Sequence, residues 1–425
     1  MKHIAIIGAG IAGLTCAYEL QKKGHTVTVY EKEPYVGGRM SSRKKNGFIF
    51  DIGANHLANV YTEMRAYVQE LDLEWEPMKF LDYRMFKHGE LLPLLHGTDH
   101  WTKFKLAIQA FIHKRHETDF FDLSTAVAFD TANAAAYVKE KIGQEAHDYL
   151  FDPFVSTYQF HGADEMSLGA VYAMMRSTYT QRKDWELHQL KGGMIALPLA
   201  LANTLNMNMN TEVTHVKKNG ERVDVITAER TTTYDAVVIA TTADVTKKIF
   251  VDATEGQSDV LKKTEYSSTI GVGFEIPKNL LQDITICWVP SVEGPISGWT
   301  NEAMKGESMI KDNKTLVLTW FHEDFAKTIL DKSDDEIFAI TKEELMKVCP
   351  LIENKSQLKN YDLQRWYKAM PKFKQGHLQL VKNFQDNHQG ENNVWFAGDY
   401  LNAPWTEGAL RNGKKVANQL DESMK

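Results

Sequence analysis

Gly8, Gly10 and Gly13, with Glu31 beyond them, have the spacing to hold a pyrophosphate and its attached ribose. Gly8 permits a tight turn, Gly10 lets a phosphate reach the main chain, and Gly13 lets a helix pack close to a strand. Ile11 and Ala12 would open that helix, with unpaired N–H groups turned to the anion. Glu31 follows the first glycine by 31 − 8 = 23 positions, near the roughly 20 expected of an acid that accepts hydrogen bonds from an adenosine ribose. The elements needed to position these residues are legible on either side. An apolar strand from Lys2 to Ile7 enters the turn, a helix follows with the stripe Ile11, Leu14, Ala17, Tyr18 and Leu20 before Gly24 stops it, and a second strand runs from Thr26 to Tyr30. The alternative is a helix-packing glycine cluster with a solvated Glu.

A second glycine pair with an arginine, Gly37-Gly38-Arg39, lies just past the acid, where a guanidinium could reach a phosphate oxygen. Near the other end an apolar strand, Val394 to Ala397, leads into Gly398-Asp399, and Thr406-Glu407-Gly408-Ala409 opens a last helix. The stretch from Glu31 to Met40 and this closing segment resemble the two end motifs of the flavin-containing amine oxidase superfamily. That group includes monoamine and polyamine oxidases, protoporphyrinogen oxidases and phytoene desaturases.

The resemblance implies FAD. Asp399 would hydrogen-bond the ribityl or pyrophosphate region, and the backbone of Glu407, Gly408 and Ala409 would face the flavin pyrimidine. A helix N-terminus there would stabilise negative charge on the reduced ring. Gly53, Ala54, Asn55 and His56 would lie beside the flavin, and Val213 would place a backbone group near adenine. Some relatives link a cysteine near the C-terminus to the flavin; no cysteine follows Cys349 here, so non-covalent FAD is expected.

With 425 residues the chain can bury two large cores. A net charge of −7 argues against a nucleic-acid binder. With the strand expected to start at Lys2, no targeting peptide is expected, and no run approaches the roughly 18 apolar residues that span a bilayer; cytoplasmic residence is expected. Cys16, Cys287 and Cys349 are too scattered for a disulfide framework or a cysteine metal site, and no metal is expected.

The expected fold class is α/β: a Rossmann-type FAD-binding domain with a doubly wound parallel sheet, interleaved with a substrate domain of mixed sheet and helices. The nucleotide domain would comprise 1–77, 190–265 and 383–425, and the substrate domain 78–189 and 266–382, with its helical part at about 101–185. Before that part a helix is expected up to about Trp75. A basic stretch from Trp101 to Arg115, with Lys103, Lys105, Lys114 and Arg115 among apolar residues, is either a core-facing helix with a solvated side or a peripheral membrane contact. Thr211 to Val216 and Arg222 to Thr227 suggest a hairpin with Asn219-Gly220 in a type I′ turn. Strands from Ser267 to about Trp320 would roof the substrate cavity.

No second glycine fingerprint marks an NAD(P)H domain, so electrons must come from an organic substrate, with dioxygen or another acceptor reoxidising the flavin. Amine oxidases of the superfamily carry a lysine on a substrate-domain strand, and Thr269-Ile270-Gly271-Val272-Gly273-Phe274 has none. Three middle segments instead resemble protoporphyrinogen oxidases and desaturases: Leu150-Phe151-Asp152-Pro153-Phe154-Val155, Gly162 to Leu168, and Arg365-Trp366 with Ala369 to Phe373. The expected substrate is large and apolar or cyclic, with a porphyrinogen foremost. A flavin amine oxidase is the alternative, and a non-catalytic flavin scaffold or redox sensor the alternative of another class. His56 is the candidate for proton exchange, on the expectation of a near-neutral pKa, with a structural hydrogen bond as its other reading. Trp366 and Trp405 are the candidate cavity walls.

Overall fold

The computed structural model describes residues 1–78, 82–94, 99, 101–102, 105, 118–180 and 186–425. One layer is a five-stranded parallel sheet in the order Asn206–Asn208, Thr26–Tyr30, His3–Ile7, Ala236–Ile239, Val394–Phe396. Its central strands are short apolar runs because both faces are covered. Ile4, Ile6 and Val238 enter one core, whereas Ala5, Ile7, Val237 and Ile239 enter the other.

The Ile11–Lys22 helix buries Leu14, Ala17 and Leu20 against the first of these cores. It ends at Gly24, whose φ of +88° suits a residue without a Cβ. The last helix, Thr406–Ser423, lies directly on it. Gly413 makes that approach possible, since a Cβ there would stand 2.1 Å from the Ala12 carbonyl oxygen.

The second layer is a seven-stranded sheet in the order Lys359–Trp366, Thr269–Pro277, Lys314–Phe321, Ile296–Asn301, Ile286–Trp288, Tyr83–Lys87, Glu90–Pro93. Only the Ile286–Trp288 and Tyr83–Lys87 pair is parallel. The Asp334–Val348 helix packs on it, started by a reciprocal Ser333–Glu336 capping box with acids in its first turn.

Several expectations shift. The helix expected up to Trp75 ends at Glu70, because Asp72 takes a left-handed φ of +54° and breaks it. Trp75–Pro77 then pairs as a strand with Leu187–Leu190. In the hairpin, Asn219 still pairs with Arg222, so the two-residue loop is Gly220-Glu221, with the left-handed φ of +61° at Gly220. The turn is therefore one residue later than a type I′ Asn-Gly turn. Asn383 falls inside the His377–Asn387 helix. The Trp101–Arg115 stretch lies outside the described residues apart from Trp101, Thr102 and Lys105. Among the described residues no helix is long and apolar enough to cross a membrane.

Candidate active site

The strand–turn–helix at the N-terminus has the geometry of an anion cradle. Gly8 takes φ +102°, and a Cβ at Gly13 would stand 2.1 Å from the Gly8 carbonyl oxygen, so turn and helix can meet only through glycine. At Gly10 the reverse holds: a Cβ would meet nothing within 4 Å. That open space lies where the helix starts, before its first bond from Leu14 N–H to the Gly10 carbonyl, so the N–H groups of Ile11 and Ala12 precede the helical ladder. Gly38 borders the same opening, with its nearest neighbour, the Gly10 Cα, 3.7 Å from a built Cβ.

Glu31 directly follows its strand, beside this turn. Its carboxylate accepts from Ala9 N–H at 2.8 Å and Glu33 N–H at 2.9 Å. Burial raises its pKa and these two donors oppose the rise. The chain passing from Asn208 to Thr211 runs along it, with Glu31 N–H donating to Asn208 and Thr211 N–H donating to Glu31. Val213, buried at the start of the next strand, stands at that end of the sheet.

Backbone layers carry the site onward from the turn. Gly37 N–H donates to Ala9 O, and Ala54 N–H donates to Arg39 O, both at 2.8 Å. A Cβ at Gly53 would lie 2.2 Å from the Arg39 carbonyl oxygen, so this residue too must be small. The Arg39 guanidinium is not turned to the phosphate opening. It forks onto Asp399 at 2.6 and 2.9 Å and reaches the Ala369 carbonyl at 2.7 Å. A nearly buried carboxylate draws it there, and the bidentate geometry fixes Asp399.

A group of aromatic rings gathers beyond the Gly53 turn. The His56 ring stands edge-on to Tyr158 at 6.0 Å, Tyr158 edge-on to Trp288 at 5.8 Å and to Trp405 at 6.3 Å, and Trp405 stacks on Phe120 at 5.0 Å. Trp288 donates its indole N–H to the Tyr158 hydroxyl at 3.3 Å. Phe154 and Tyr158, four apart on the Asp152–Gln159 helix, share the face that meets Trp288. Two buried nitrogens in this wall, Trp405 Nε1 and His56 Nδ1, have no hydrogen-bond partner. Trp366 belongs elsewhere: its indole N–H donates to the Ile52 carbonyl at 2.6 Å, and its ring joins Phe48, Phe50 and Ile52.

The expectation of a near-neutral His56 is overturned. Burial, and then the nearby Lys305 ammonium, lower its pKa to about 4, with Asp51 only partly opposing. At pH 7 His56 is neutral. Burial likewise pushes Tyr158 up to about 12, so the wall carries no charge of its own.

The last helix brings Glu407 to Ala409 to the end of this wall, directly after Trp405. The Glu407 side chain has a task of its own. Wholly buried, it accepts from the Glu63 and Met64 N–H groups at 2.9 Å and pairs with Arg411 at 2.8 Å, so it caps the Thr62–Glu70 helix, whose own N-cap residue supplies no side chain. The open space over Gly10 and Gly38 and the helix-start donors together fit a flavin dinucleotide.

Sequence reasoning missed Tyr158, Trp288, Gly413 and Lys305. The four-residue spacing of Phe154 and Tyr158 could have marked the first. Nothing local marks a lysine such as Lys305 as buried.

Comparison with known proteins gives a consistent result. The family model described as flavin containing amine oxidoreductase matches residues 11–421. The coproporphyrinogen III oxidase of Bacillus subtilis (strain 168) is 22% identical over 440 residues, covering 91% of this chain and 90% of that protein. Protoporphyrinogen oxidase 2, chloroplastic/mitochondrial, of Arabidopsis thaliana is 28% identical over 181 residues; the match covers 39% of this chain and spans only about a third, 34%, of the plant enzyme. The cyclohexylamine oxidase of Brevibacterium oxydans IH-35A shares the fold, with a TM-score of 0.81 at 18% identity over 100% of this chain and 99% of that one.

Proposed function

Because the chain belongs to the flavin-containing amine oxidoreductase family and is an FAD-dependent oxidoreductase, we propose that it oxidises a large, apolar, cyclic substrate of the porphyrinogen type. The observation that carries this reading is the uncharged aromatic wall of His56, Tyr158, Trp288, Trp405 and Phe120. Flat rings in edge and stacked contact suit a flat apolar body. The similarity to a coproporphyrinogen oxidase along nearly the whole chain supports the same class.

When bound, FAD supplies a two-electron acceptor for a hydride leaving a substrate carbon. The chain's residues supply the rest. Gly8, Gly10 and Gly13 with the N–H groups of Ile11 and Ala12 hold the pyrophosphate, and Glu31 holds the ribose. Val213 would stand by adenine, Gly38 and Gly53 would leave room for the dinucleotide, and Arg39 would orient Asp399 for the ribityl chain. The backbone of Glu407, Gly408 and Ala409 would meet the flavin ring with a helix N-terminus. The chain holds FAD without a covalent bond.

Neutral His56 serves as a hydrogen-bond acceptor at Nδ1, in its Nε2–H tautomer, for a substrate N–H. Trp405 Nε1 donates to a substrate acceptor. Trp366 acts from behind Ile52, as a support of the Gly53 turn. We place the nucleotide-domain junction at Gly376, which starts the helix that contains Asn383, rather than at 383. The substrate is a small molecule, nucleic acid is not a partner, and residence is cytoplasmic.

Anaerobic mixing of the purified yellow protein with porphyrinogens, amines and polyenes tests the reading. Bleaching of the flavin band by porphyrinogens alone supports it. Bleaching by amines alone replaces it with the amine oxidase reading, in which the same ring faces hold an ammonium. A flavin that none of these reduces points to a scaffold or sensor.

A further inference from the structure

Lys305 is buried to within 1% of full enclosure, which is rare for a lysine. Its ammonium lies 2.7 Å from Asp51 and 2.6 Å from Glu302, whose side chains are 2% and 0% exposed. Burial works against its charge, and the two carboxylates outweigh that cost and keep it protonated.

The partners come from three separate stretches of chain. Asp51 ends the strand that leads into Gly53, and its other oxygen accepts from Ser42 Oγ at 2.6 Å and Met194 N–H at 3.0 Å. Glu302 follows the Ile296–Asn301 strand of the large sheet and accepts from Thr300 Oγ1 at 2.8 Å and Asn55 Nδ2 at 3.2 Å. The Lys305 carbonyl accepts from Gln189 Nε2 at 2.7 Å, on the strand that leads towards Met194. One residue thus joins the Asp51–His56 segment, the Gln189–Met194 segment and the end of a central strand of the large sheet.

A buried ion cluster is weak evidence for stability, since an apolar set of the same shape often does as well. Its position here gives it another use. We propose that Lys305 is a positioning residue: through Asp51 and Glu302 it latches the Gly53–His56 turn to the large sheet and so fixes the backbone and the His56 ring that face the flavin. The inference rests on the flavin reading above and deepens it.

The charges facing His56 are Lys305 and Asp51, the Tyr158 ring packs edge-on to it, and Asn55 beside it is held by Glu302. Removing the ammonium should therefore loosen this turn. In the holoenzyme, Lys305→Met should speed FAD release by about tenfold, equivalent to about 1.4 kcal/mol of lost binding. It should also shift the visible flavin band and speed amide exchange in the Gly53–His56 turn more than in the Ile11–Lys22 helix. A role in stability alone would lower the melting temperature and move none of these, and that result overturns the proposal.

If Lys305→Met does not fold, Glu302→Gln decides. It keeps acceptors for Thr300 and Asn55 and the Lys305–Asp51 pair, and removes one charge from the latch. Faster FAD release and a shifted flavin band, smaller than those expected of Lys305→Met, support the proposal, and values equal to the parent overturn it. A parent protein that binds no FAD defeats the flavin reading itself. In that protein faster amide exchange confined to the Gly53–His56 turn of Lys305→Met still supports the latch, and unchanged exchange rejects it.

Discussion

The dinucleotide turn and the aromatic wall are built on opposite plans. The turn is made mostly by neighbours in sequence: Gly13 answers to the Gly8 carbonyl and Gly10 to open space, and Gly8 alone of the three answers to a distant backbone atom, the Ala240 carbonyl. The wall is made by strangers, since Phe120, Tyr158, Trp288 and Trp405 come from four distant segments and meet only when the whole chain has folded. Backbone shape tolerates little change, whereas a wall of side chains can be altered ring by ring. A protein built this way can keep one cofactor while its substrate changes.

The largest effects should come from the turn, and two valines separate its two kinds of glycine. Gly13→Val would press a Cβ against the Gly8 carbonyl at 2.1 Å and should cost upwards of about 3 kcal/mol, read as a lower urea midpoint or insoluble protein. Gly10 has φ −71°, acceptable for valine, and open space before it. Gly10→Val should fold with nearly the parent's stability and lose FAD affinity by at least about 100-fold, roughly 2.7 kcal/mol. If Gly10→Val keeps stoichiometric FAD, the phosphate cradle is elsewhere.

His56 sits where the two plans meet, and its test is one of pH. Its folded pKa of about 4 lies below the ordinary 6.5, so the unfolded chain binds the extra proton. The stability this contributes, up to about 3 kcal/mol, is present in full above pH 6.5 and is lost as the pH falls from there through 4. His56→Phe should flatten this part of the profile. Urea midpoints at pH 7 and pH 4.5 for the two proteins measure the difference, and equal slopes would remove the claim that His56 is held neutral.

How far each plan can be read from sequence follows from the same contrast. Glu31, 23 positions past Gly8, was legible because the strand, helix and strand between them fix the spacing. The Arg39–Asp399 fork spans 360 positions and shows only in the fold. Both partners were visible as candidates, but not that they would meet. Lys305 was hidden for a similar reason, since its burial depends on Asp51, 254 positions away. Gly413 was hidden because nothing in its own helix demands a glycine; the demand comes from the Ala12 carbonyl.

Within the wall, Trp405→Ala removes a ring stacked on Phe120 and a donor with no protein partner. It should change kcat/KM by about tenfold, near 1.4 kcal/mol, and differently for different substrates, with FAD still bound. Identical kinetics would place the ring outside the cavity.

Tyr158→Phe is the mildest change and the most discriminating. The ring and its contacts with His56, Trp288 and Trp405 remain, and only the hydroxyl that accepts from Trp288 at 3.3 Å is lost. A long bond to a neutral acceptor is worth about 1 kcal/mol, and its loss leaves a buried indole N–H without a partner. Stability should fall by that amount while KM stays within a few-fold, because a flat substrate senses the ring face and not the hydroxyl. A large rise in KM with stability unchanged would mean that the hydroxyl meets the substrate directly. The wall would then recognise polar groups as well as shape, and the contrast with the turn would narrow to one of distance along the chain.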